Sequence, residues 1–241
     1  MRFAPVLHSE WLKIRTVRAL PGALLALFAT TTAFSAIAGI SSTSDPEFDP
    51  LFTALSGAAP GQIAAISFGA MAVSAEYHNG AVRLSLAAVP QRGRWFAAKA
   101  TAVAVPALVV SLLTAPVALL VARAGLGRAA SGLSAAEQVR GVVGCALYLT
   151  LMALLAAGLA TVLRSGVATL SVLIPFVLVV SFVIGDSAGT VVDFLPDRAG
   201  QIVLHETYDG TLGPWSGLGV TALWTAGALL AGLWSLRRRD A

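Results

Sequence analysis

The chain has 241 residues, of which 57% are hydrophobic and only 12% are charged, and its formal net charge is +4. An average soluble domain is about 25% charged, so this composition excludes an ordinary soluble globule. It also excludes intrinsic disorder, which needs low hydrophobicity and high net charge. The chain is therefore expected to be an integral membrane protein. Its single cysteine, Cys145, excludes a disulfide within the chain.

Six stretches of the sequence are apolar enough to cross a bilayer as helices. A spanning helix needs about 20 mostly apolar residues, because the hydrocarbon core is about 30 Å thick. The second stretch is the shortest, and residues 51–59 either extend it or form a separate outer helix. We predict an all-α membrane protein with a single domain over residues 1–241 and six transmembrane helices. The predicted spans are 20–41, 60–75, 97–122, 141–163, 167–185 and 216–236.

The distribution of lysine and arginine predicts the orientation of the chain. Six spans place both termini on one side, and that side carries twelve of the sixteen basic residues. Cytoplasmic loops carry the excess of lysine and arginine, so both termini of this multi-pass protein are expected in the cytoplasm and its spans in the cell membrane. The alternative for the N-terminus, a cleaved signal peptide, fits less well, because Glu10 and Trp11 precede the apolar run.

The sequence lacks the motifs of the common enzyme classes. Its only lysines are Lys13 and Lys99, and neither belongs to a glycine-rich phosphate loop, so the chain is not expected to hydrolyse ATP. Its three histidines lie on separate segments without zinc-ligand spacing, so no metal site is expected. No predicted span has a charged residue near its middle, which weighs against an ion-driven transporter. We expect no enzyme activity and no catalytic residue.

Two segments on the predicted cytoplasmic side have helical patterns without the length of a span. Residues 1–18 place apolar residues on one side of a basic helix that includes Trp11, which favours a position in the membrane interface or a role as a simple topology anchor. Residues 76–99 form the longest cytoplasmic loop. Gly80 can begin a short helix there, and Pro90 ends it. This helix can transmit force from a soluble partner, or it is a stiff loop with ordinary inside-positive charge.

The order of these segments resembles the integral-membrane permeases of type-two ABC exporters, particularly the short actinobacterial kind. The resemblance extends over nearly the whole chain and rests on the order and spacing of its motifs together. The chain departs from the family at His78, where arginine is frequent, and at Ala81 and Ser85, where threonine is frequent. The residues that carry the resemblance are Glu10, Trp11 and Lys13; Glu76, Tyr77, Gly80, Arg83, Leu86, Pro90, Arg92 and Lys99; and Pro214, Trp215, Gly217, Arg237, Arg238 and Arg239.

The resemblance implies two permease subunits, identical or paired, above two copies of a separate cytoplasmic ATPase. ATP and Mg would bind to that ATPase, and this chain would hold no cofactor. Substrate residues stay unknown, nucleic acid is not an expected partner, and membrane lipid is an alternative partner for the arginines. The candidates for coupling and ATPase contact are Glu76, Tyr77, Arg83, Pro90, Arg92 and Arg94, and those of the interfacial helix are Glu10, Trp11 and Lys13.

Three further expectations stay open at the level of sequence. The loop 186–215 resembles short outer helices that dip back into the membrane, and the alternative is two apolar turns on the outer surface. Glu76→Ala is expected to uncouple transport from ATP hydrolysis while leaving membrane insertion intact. The alternatives to an exporter permease are a stand-alone secondary transporter or channel and a non-transporting scaffold subunit.

Overall fold

The computed structural model describes residues 3–41, 48–77, 80–89, 91–180, 189–207 and 210–238, and all regular structure within these ranges is helical. The α-helices in chain order are α1 (Phe3–Thr16), α2 (Ala19–Ser41), α3 (Pro50–Leu55), α4 (Ala58–Ser74), α5 (Ala81–Ala88), α6 (Arg92–Leu126), α7 (Ala135–Leu163), α8 (Gly166–Pro175), α9 (Pro196–Gln201) and α10 (Pro214–Arg238). Three 3-10 turns (Gly127–Ala130, Gly189–Phe194 and Ile202–Leu204) and one π-helical turn (Phe176–Val180) complete the set.

Five stretches of the described chain are long and apolar enough to cross a membrane, which confirms the all-α multi-pass architecture. They are α2, α3 with α4, α6 with its 3-10 turn, α7 and α10. Residues 51–59 contribute α3 as a separate short helix, which a turn at Ser56 and Gly57 joins to α4. The predicted fifth span, 167–185, corresponds to the shorter apolar helix Gly166–Val179, and its last residues lie outside the described ranges.

The helix ends follow local sequence signals. The carboxylate of Asp49 accepts a hydrogen bond from the Phe52 amide, and Pro50 stands in the first turn of α3, where its missing N–H costs nothing. Ser134 and Glu137 form a reciprocal capping box at the start of α7. The helix α6 begins five residues before the predicted span, because its first two turns pack into the protein rather than into lipid.

Small residues let the spanning helices approach closely. A Cβ atom at Gly69 of α4 would overlap the backbone of Ala153 in α7, and one at Gly158 would overlap the backbone of Ala228 in α10. Helix contacts in membranes depend on this kind of close packing, since lipid offers no hydrophobic driving force. The glycine pattern therefore fixes α7 between α4 and α10 at the centre of the bundle.

We expect Gly69→Ala to lower the free energy of unfolding by about 1–3 kcal/mol, because the added methyl group must push α4 away from α7. Gly219→Ala on α10 is the matched control. A Cβ atom there meets nothing within 4 Å, and alanine is the better helix former by about 1 kcal/mol. Unfolding of both variants in detergent checks the prediction, and equal stability changes would contradict it.

The segment around α9 runs along the first turns of α7. Gly200 contacts the ring of Tyr148, Val203 contacts Gly144, and Arg140 donates from Nη2 to the carbonyl oxygen of His205 at 2.7 Å. These three α7 positions are one turn apart, so the segment follows α7 for two turns. Within the predicted loop 186–215, the described residues form short helical elements, Gly189–Phe194, α9 and Ile202–Leu204, and residues 202–204 are buried against the bundle.

Hydrogen bonds join this segment to α7 and to the start of α3, and a further one joins α7 to α4. The Tyr148 hydroxyl donates to Gln62 of α4, and Gln201 Nε2 donates to the same hydroxyl at 3.1 Å. Near the start of α3, the Asp49 carboxylate accepts the Glu206 amide at 2.9 Å and lies 3.1 Å from His205 Nδ1. Burial raises the pKa of Asp49, but these hydrogen bonds outweigh burial and bring the pKa below its usual value.

Candidate functional site

Four charged side chains meet where α1, α4 and α6 come together. Glu10 and Lys13 lie on α1, Glu76 follows the end of α4, and Lys99 lies in the second turn of α6; we call these four residues the charge cluster. Lys13 Nζ lies 2.8 Å from Glu10 Oε1 and 2.9 Å from Glu76 Oε1. Lys99 Nζ lies 2.7 Å from Glu76 Oε1 and also pairs with Glu10. Each ammonium contacts both carboxylates, so the cluster is formally neutral.

Three of the four residues of the charge cluster are almost completely removed from solvent. Glu10, Glu76 and Lys99 are 1%, 3% and 4% exposed, while the side chain of Lys13 is 38% exposed. A buried charge is tolerated only when it is paired and hydrogen-bonded. The pairing within the cluster meets this condition, and Lys99 makes a further, weak hydrogen bond to the carbonyl oxygen of Ala72 at 3.4 Å.

The short helix α5 joins the charge cluster through Ser85. The Ser85 hydroxyl donates to Glu76 Oε2 at 3.1 Å and accepts from Lys13 Nζ at 3.3 Å. The chain reaches this position because Gly80 has a φ of 69°, a left-handed conformation that glycine adopts without strain. The Val82 amide then donates to the carbonyl oxygen of Glu76 at 2.7 Å. The cluster therefore links α5 to α1, α4 and α6.

The cluster shifts the pKa values of two of its members. Burial raises the pKa of the Glu76 carboxyl, but the charge of Lys99 and hydrogen bonds from both lysines outweigh burial, and the pKa lies below its usual value. Burial lowers the pKa of Lys13, but its hydrogen bonds to Glu10 and Glu76 outweigh burial and leave the pKa raised. Glu76 and Lys13 are consequently both charged at neutral pH.

These shifts predict how stability depends on pH. Because the pKa of Glu76 is lower in the folded chain than in the unfolded chain, its ionised carboxylate stabilises the fold above the unfolded-state pKa of about 4.3. This stabilisation is lost as the pH falls through the lower folded-state pKa. The raised pKa of Lys13 contributes below about pH 10.4 and is lost as the pH rises through the higher folded-state value. We expect thermal stability to fall below about pH 4.3.

The variant Glu76→Gln/Lys99→Gln provides the comparison for this acid dependence. It removes one carboxylate and one ammonium from the cluster, so its net charge is unchanged. Its melting temperature in detergent should fall less steeply than that of the native chain below about pH 4.3, because Glu76 no longer titrates. Identical acid slopes in the two proteins would show that Glu76 is not stabilised by its partners.

A cavity of about 330 Å³ opens beside the charge cluster. Its lining combines charged and hydroxyl side chains with aliphatic side chains of α1, α2, α4 and α5. Leu84 of α5 stands at this cavity with 75% of its surface exposed. The arrangement leaves an apolar side chain accessible on a short helix that is anchored on its other face. The lining includes Lys13, Glu76, Ser85, Lys99, Ile14, Val17, Leu20 and Leu84.

A small hydrophobic cluster beside the charge cluster brings the two ends of the described chain together. Val6 of α1, Val82 of α5, Trp95 of α6 and Leu236 of α10 are all buried in it. Arg92 donates from Nη1 to the carbonyl oxygen of Leu236 at 2.6 Å. We call this part of the molecule the termini end of the bundle.

The other predicted site residues lie outside the charge cluster and make separate contacts. Tyr77 donates its hydroxyl to the carbonyl oxygen of Thr161 at 3.4 Å, and the Arg164 guanidinium lies 5.9 Å from its ring. Trp11 is half-buried beside a second cavity between α1 and α6, and Arg94 is half-exposed. Pro90 lies outside the described residues, as does the side chain of Arg83.

The structure brings Glu10, Lys13 and Glu76 together as one site and adds two residues that the sequence did not single out as site residues, Lys99 and Ser85. In the sequence, Lys99 is one of the residues that carry the family resemblance and one of twelve basic residues on the predicted cytoplasmic side. One signal could have set it apart, since the chain uses arginine at fourteen of its sixteen basic positions and lysine only at the two that enter the charge cluster.

A scan against protein-family models and a search of curated proteins found no match for this chain. Within the described residues, no group of three or more histidine, cysteine or acidic side chains could hold a metal ion.

Proposed function

We propose that this chain is the transmembrane permease subunit of an ATP-driven ABC exporter, coupled to a separate cytoplasmic ATPase. The observation that carries the proposal is the buried charge cluster, which ties the surface helix α5 to α1 and to two spans. The Ser85 hydroxyl joins α5 to the cluster, and the buried ion pairs of the cluster are costly to separate, so a displacement of α5 is expected to move the helices that share the cluster. Such a link suits a membrane chain that is driven by a soluble partner.

The two faces of α5 support this role. Val82 is buried in the hydrophobic cluster of the termini end, and Ser85 is hydrogen-bonded to Glu76. Leu84 remains 75% exposed beside the cavity. The helix is therefore anchored on one face and open on the other, and the open face is where the partner ATPase would bind. ATP and Mg belong to that partner, and a second permease subunit would complete the translocation path.

We also propose that the chain has a sixth span and that the termini end of the bundle lies on the cytoplasmic side. Val6 and Leu236 lie in one cluster, so both ends of the described chain are at the same end of the bundle. A chain that crosses the membrane an even number of times has both ends on the same side. The five long helices give an odd number, so we propose that the shorter helix Gly166–Val179 is the sixth crossing. The excess of lysine and arginine supports a cytoplasmic position for this end and a place in the cell membrane.

Cysteine labelling tests the proposed docking face. Leu84→Cys introduces an exposed thiol, while the native Cys145 is buried. In inverted vesicles from native membranes, a bound ATPase should protect the thiol at position 84 from a polar maleimide at least tenfold. Stripping peripheral proteins with carbonate should remove this protection. Thr16→Cys, which is exposed on α1, is the control for access of the reagent.

Equal labelling at position 84 before and after carbonate stripping would contradict a bound ATPase. That result would favour a stand-alone transporter or a scaffold subunit. A change that is equally large at Thr16→Cys would indicate general access to the vesicles rather than a partner on α5.

A further inference from the structure

The start of α6 and the end of α10 bring four arginines together at the termini end. Arg92 and Arg94 lie in the first turn of α6, and Arg237 and Arg238 lie in the last turn of α10. Arg92 donates from Nη1 to the carbonyl oxygen of Leu236 at 2.6 Å and, more weakly, to that of Arg237 at 3.4 Å. The two helix ends are therefore joined directly.

The two pairs of arginines form one surface. A Cβ atom at Gly93 would lie 3.1 Å from Arg237 Nη2, so the side chain of Arg237 lies against the start of α6. Arg237 and Arg238 are exposed, and Arg92 and Arg94 are half-exposed. Because these side chains adjoin one another on the two joined helix ends, we call Arg92, Arg94, Arg237 and Arg238 the arginine surface.

The described residues leave this end of the molecule positively charged. They place two acidic side chains there, Glu10 and Glu76, and both belong to the charge cluster, which is formally neutral. The positive charges of the arginine surface are therefore in excess among the described residues of this end. Residues 239–241, which include Asp240, lie outside the described ranges. A surface with such an excess attracts anionic groups.

Arg238 is stacked on Trp234, one turn earlier in α10. Its guanidinium carbon lies 4.4 Å from the centroid of the indole ring, and Trp234 is 57% exposed. Stacking uses the flat face of a guanidinium, while its N–H groups lie in the plane and point away from the ring. In that plane an arginine can bind a phosphate through two parallel hydrogen bonds. The stacked Arg238 thus has the geometry of a phosphate-binding group.

The depth of Arg238 and Trp234 indicates which phosphate is within reach. The helix α10 is long and apolar enough to cross a membrane, and Arg237 directly follows its predicted span. Side chains on a helix point towards its N-terminus, and Arg238 accordingly lies back over Trp234 rather than beyond the helix end. Exposed tryptophans at span ends lie at the level of the lipid headgroups. Lipid phosphates occupy this level, whereas a soluble partner would have to reach into it.

We propose that the arginine surface binds the headgroup of an anionic phospholipid in the leaflet at the termini end. Arg237 and Arg238 donate to its phosphate, and Trp234 lies beside the start of its tails. Clusters of basic residues at the end of a span are typical binding sites for anionic lipids. This site is separate from the docking face on α5 and needs no ATPase, so it can be measured on the chain alone.

Native mass spectrometry of the purified chain tests the proposal. The chain in detergent is titrated with phosphatidylglycerol, which is anionic, and with phosphatidylcholine, which is zwitterionic and carries the same two oleoyl tails. One arginine near a membrane surface favours an anionic lipid by about fivefold. The first phosphatidylglycerol should therefore bind at least fivefold more tightly than the first phosphatidylcholine. Arg237→Gln/Arg238→Gln should reduce this preference to half of its native value or less.

Arg15→Gln/Arg18→Gln is the matched control. It removes the same charge from two exposed positions between α1 and α2, outside the arginine surface, and should keep the native preference. Equal melting temperatures of the two double variants show that the fold is intact. If Arg237→Gln/Arg238→Gln does not fold, the single variant Arg238→Gln takes its place, and it too should reduce the preference to half or less.

Three results would overturn the proposal. A native preference below fivefold that rises in Asp240→Asn would mean that the chain's own carboxylate occupies the arginines; without that rise, no anionic lipid is selected. A preference that stays above half of its native value in Arg237→Gln/Arg238→Gln would assign these arginines to another partner, such as an acidic protein surface. Displacement of phosphatidylglycerol by an equal concentration of glycerol 3-phosphate would indicate a site for free phosphates. None of these results bears on the labelling of Leu84→Cys.

Discussion

Lys99→Met is expected to lower the free energy of unfolding by about 3–5 kcal/mol, the cost of removing one partner from a buried ion pair. The variant leaves the buried carboxylates of Glu10 and Glu76 with Lys13 alone, and Lys13 is partly exposed to solvent. Unfolding in detergent, followed by tryptophan fluorescence, measures the change. The expected outcome is a poorly folded protein with low membrane yield.

Arg128→Met is the matched control for Lys99→Met. It removes one positive charge of similar side-chain length at an exposed position. Exposed substitutions away from special features usually change stability by about 0.5 kcal/mol or less. Equal stability of the two variants would show that the charge cluster does not hold α1, α4 and α6 together.

The charge-balanced variant Glu76→Gln/Lys99→Gln is expected to fold but to lose coupling. Replacing both partners of a buried ion pair is often close to neutral for stability, because no uncompensated charge remains. The link from Ser85 to α6 through Glu76 and Lys99 then consists only of neutral contacts. Motion of α5 should pass to the spans much less efficiently, while the partner ATPase continues to hydrolyse ATP.

Coupling can be measured without knowledge of the substrate. In the complex of permease and ATPase, we expect ATP with vanadate to change the emission of Trp224, which lies on a span remote from α5 in sequence. The charge-balanced variant should reduce this change at least fivefold at an unaltered rate of hydrolysis. An unchanged Trp224 response in a folded variant would contradict a coupling role for the cluster.

The charge balance also alters the expected result for Glu76→Ala. This single substitution leaves two lysines facing Glu10 alone in a buried site. It is therefore expected to reduce folding and insertion together with coupling, so its loss of transport would have two causes. The charge-balanced variant separates them, because its folding is expected to stay close to native.

The spans could be predicted from the sequence because the thickness of the hydrocarbon core fixes their length and polarity. The predicted positions of the helix ends were less accurate, and α6 shows the reason. An apolar run marks the edge of the hydrocarbon region, whereas the helix continues to Arg92 because Trp95 and Phe96 pack against α1 and α5. The short helix α5 was predicted correctly, since Gly80 gave a local signal.

The charge cluster could not be predicted from the sequence, because its contacts are not local. Lys13 and Glu76 are 63 residues apart, and Glu76 and Lys99 are 23 residues apart. The amphipathic pattern of α1 predicted a helix in the membrane interface with Trp11 on its apolar side, and it gave no reason to bury Glu10. The contact of Asp49 with His205, across 156 residues, was hidden for the same reason. Only the helix packing brings these groups together.

The most direct test of the central claim is purification of the tagged chain from its native membrane in mild detergent, followed by mass spectrometry of the proteins that come with it. The permease account predicts a stoichiometric ATPase that carries the glycine-rich phosphate loop missing from this chain. Recovery of the chain alone, or only with further copies of itself, across several detergents would contradict it.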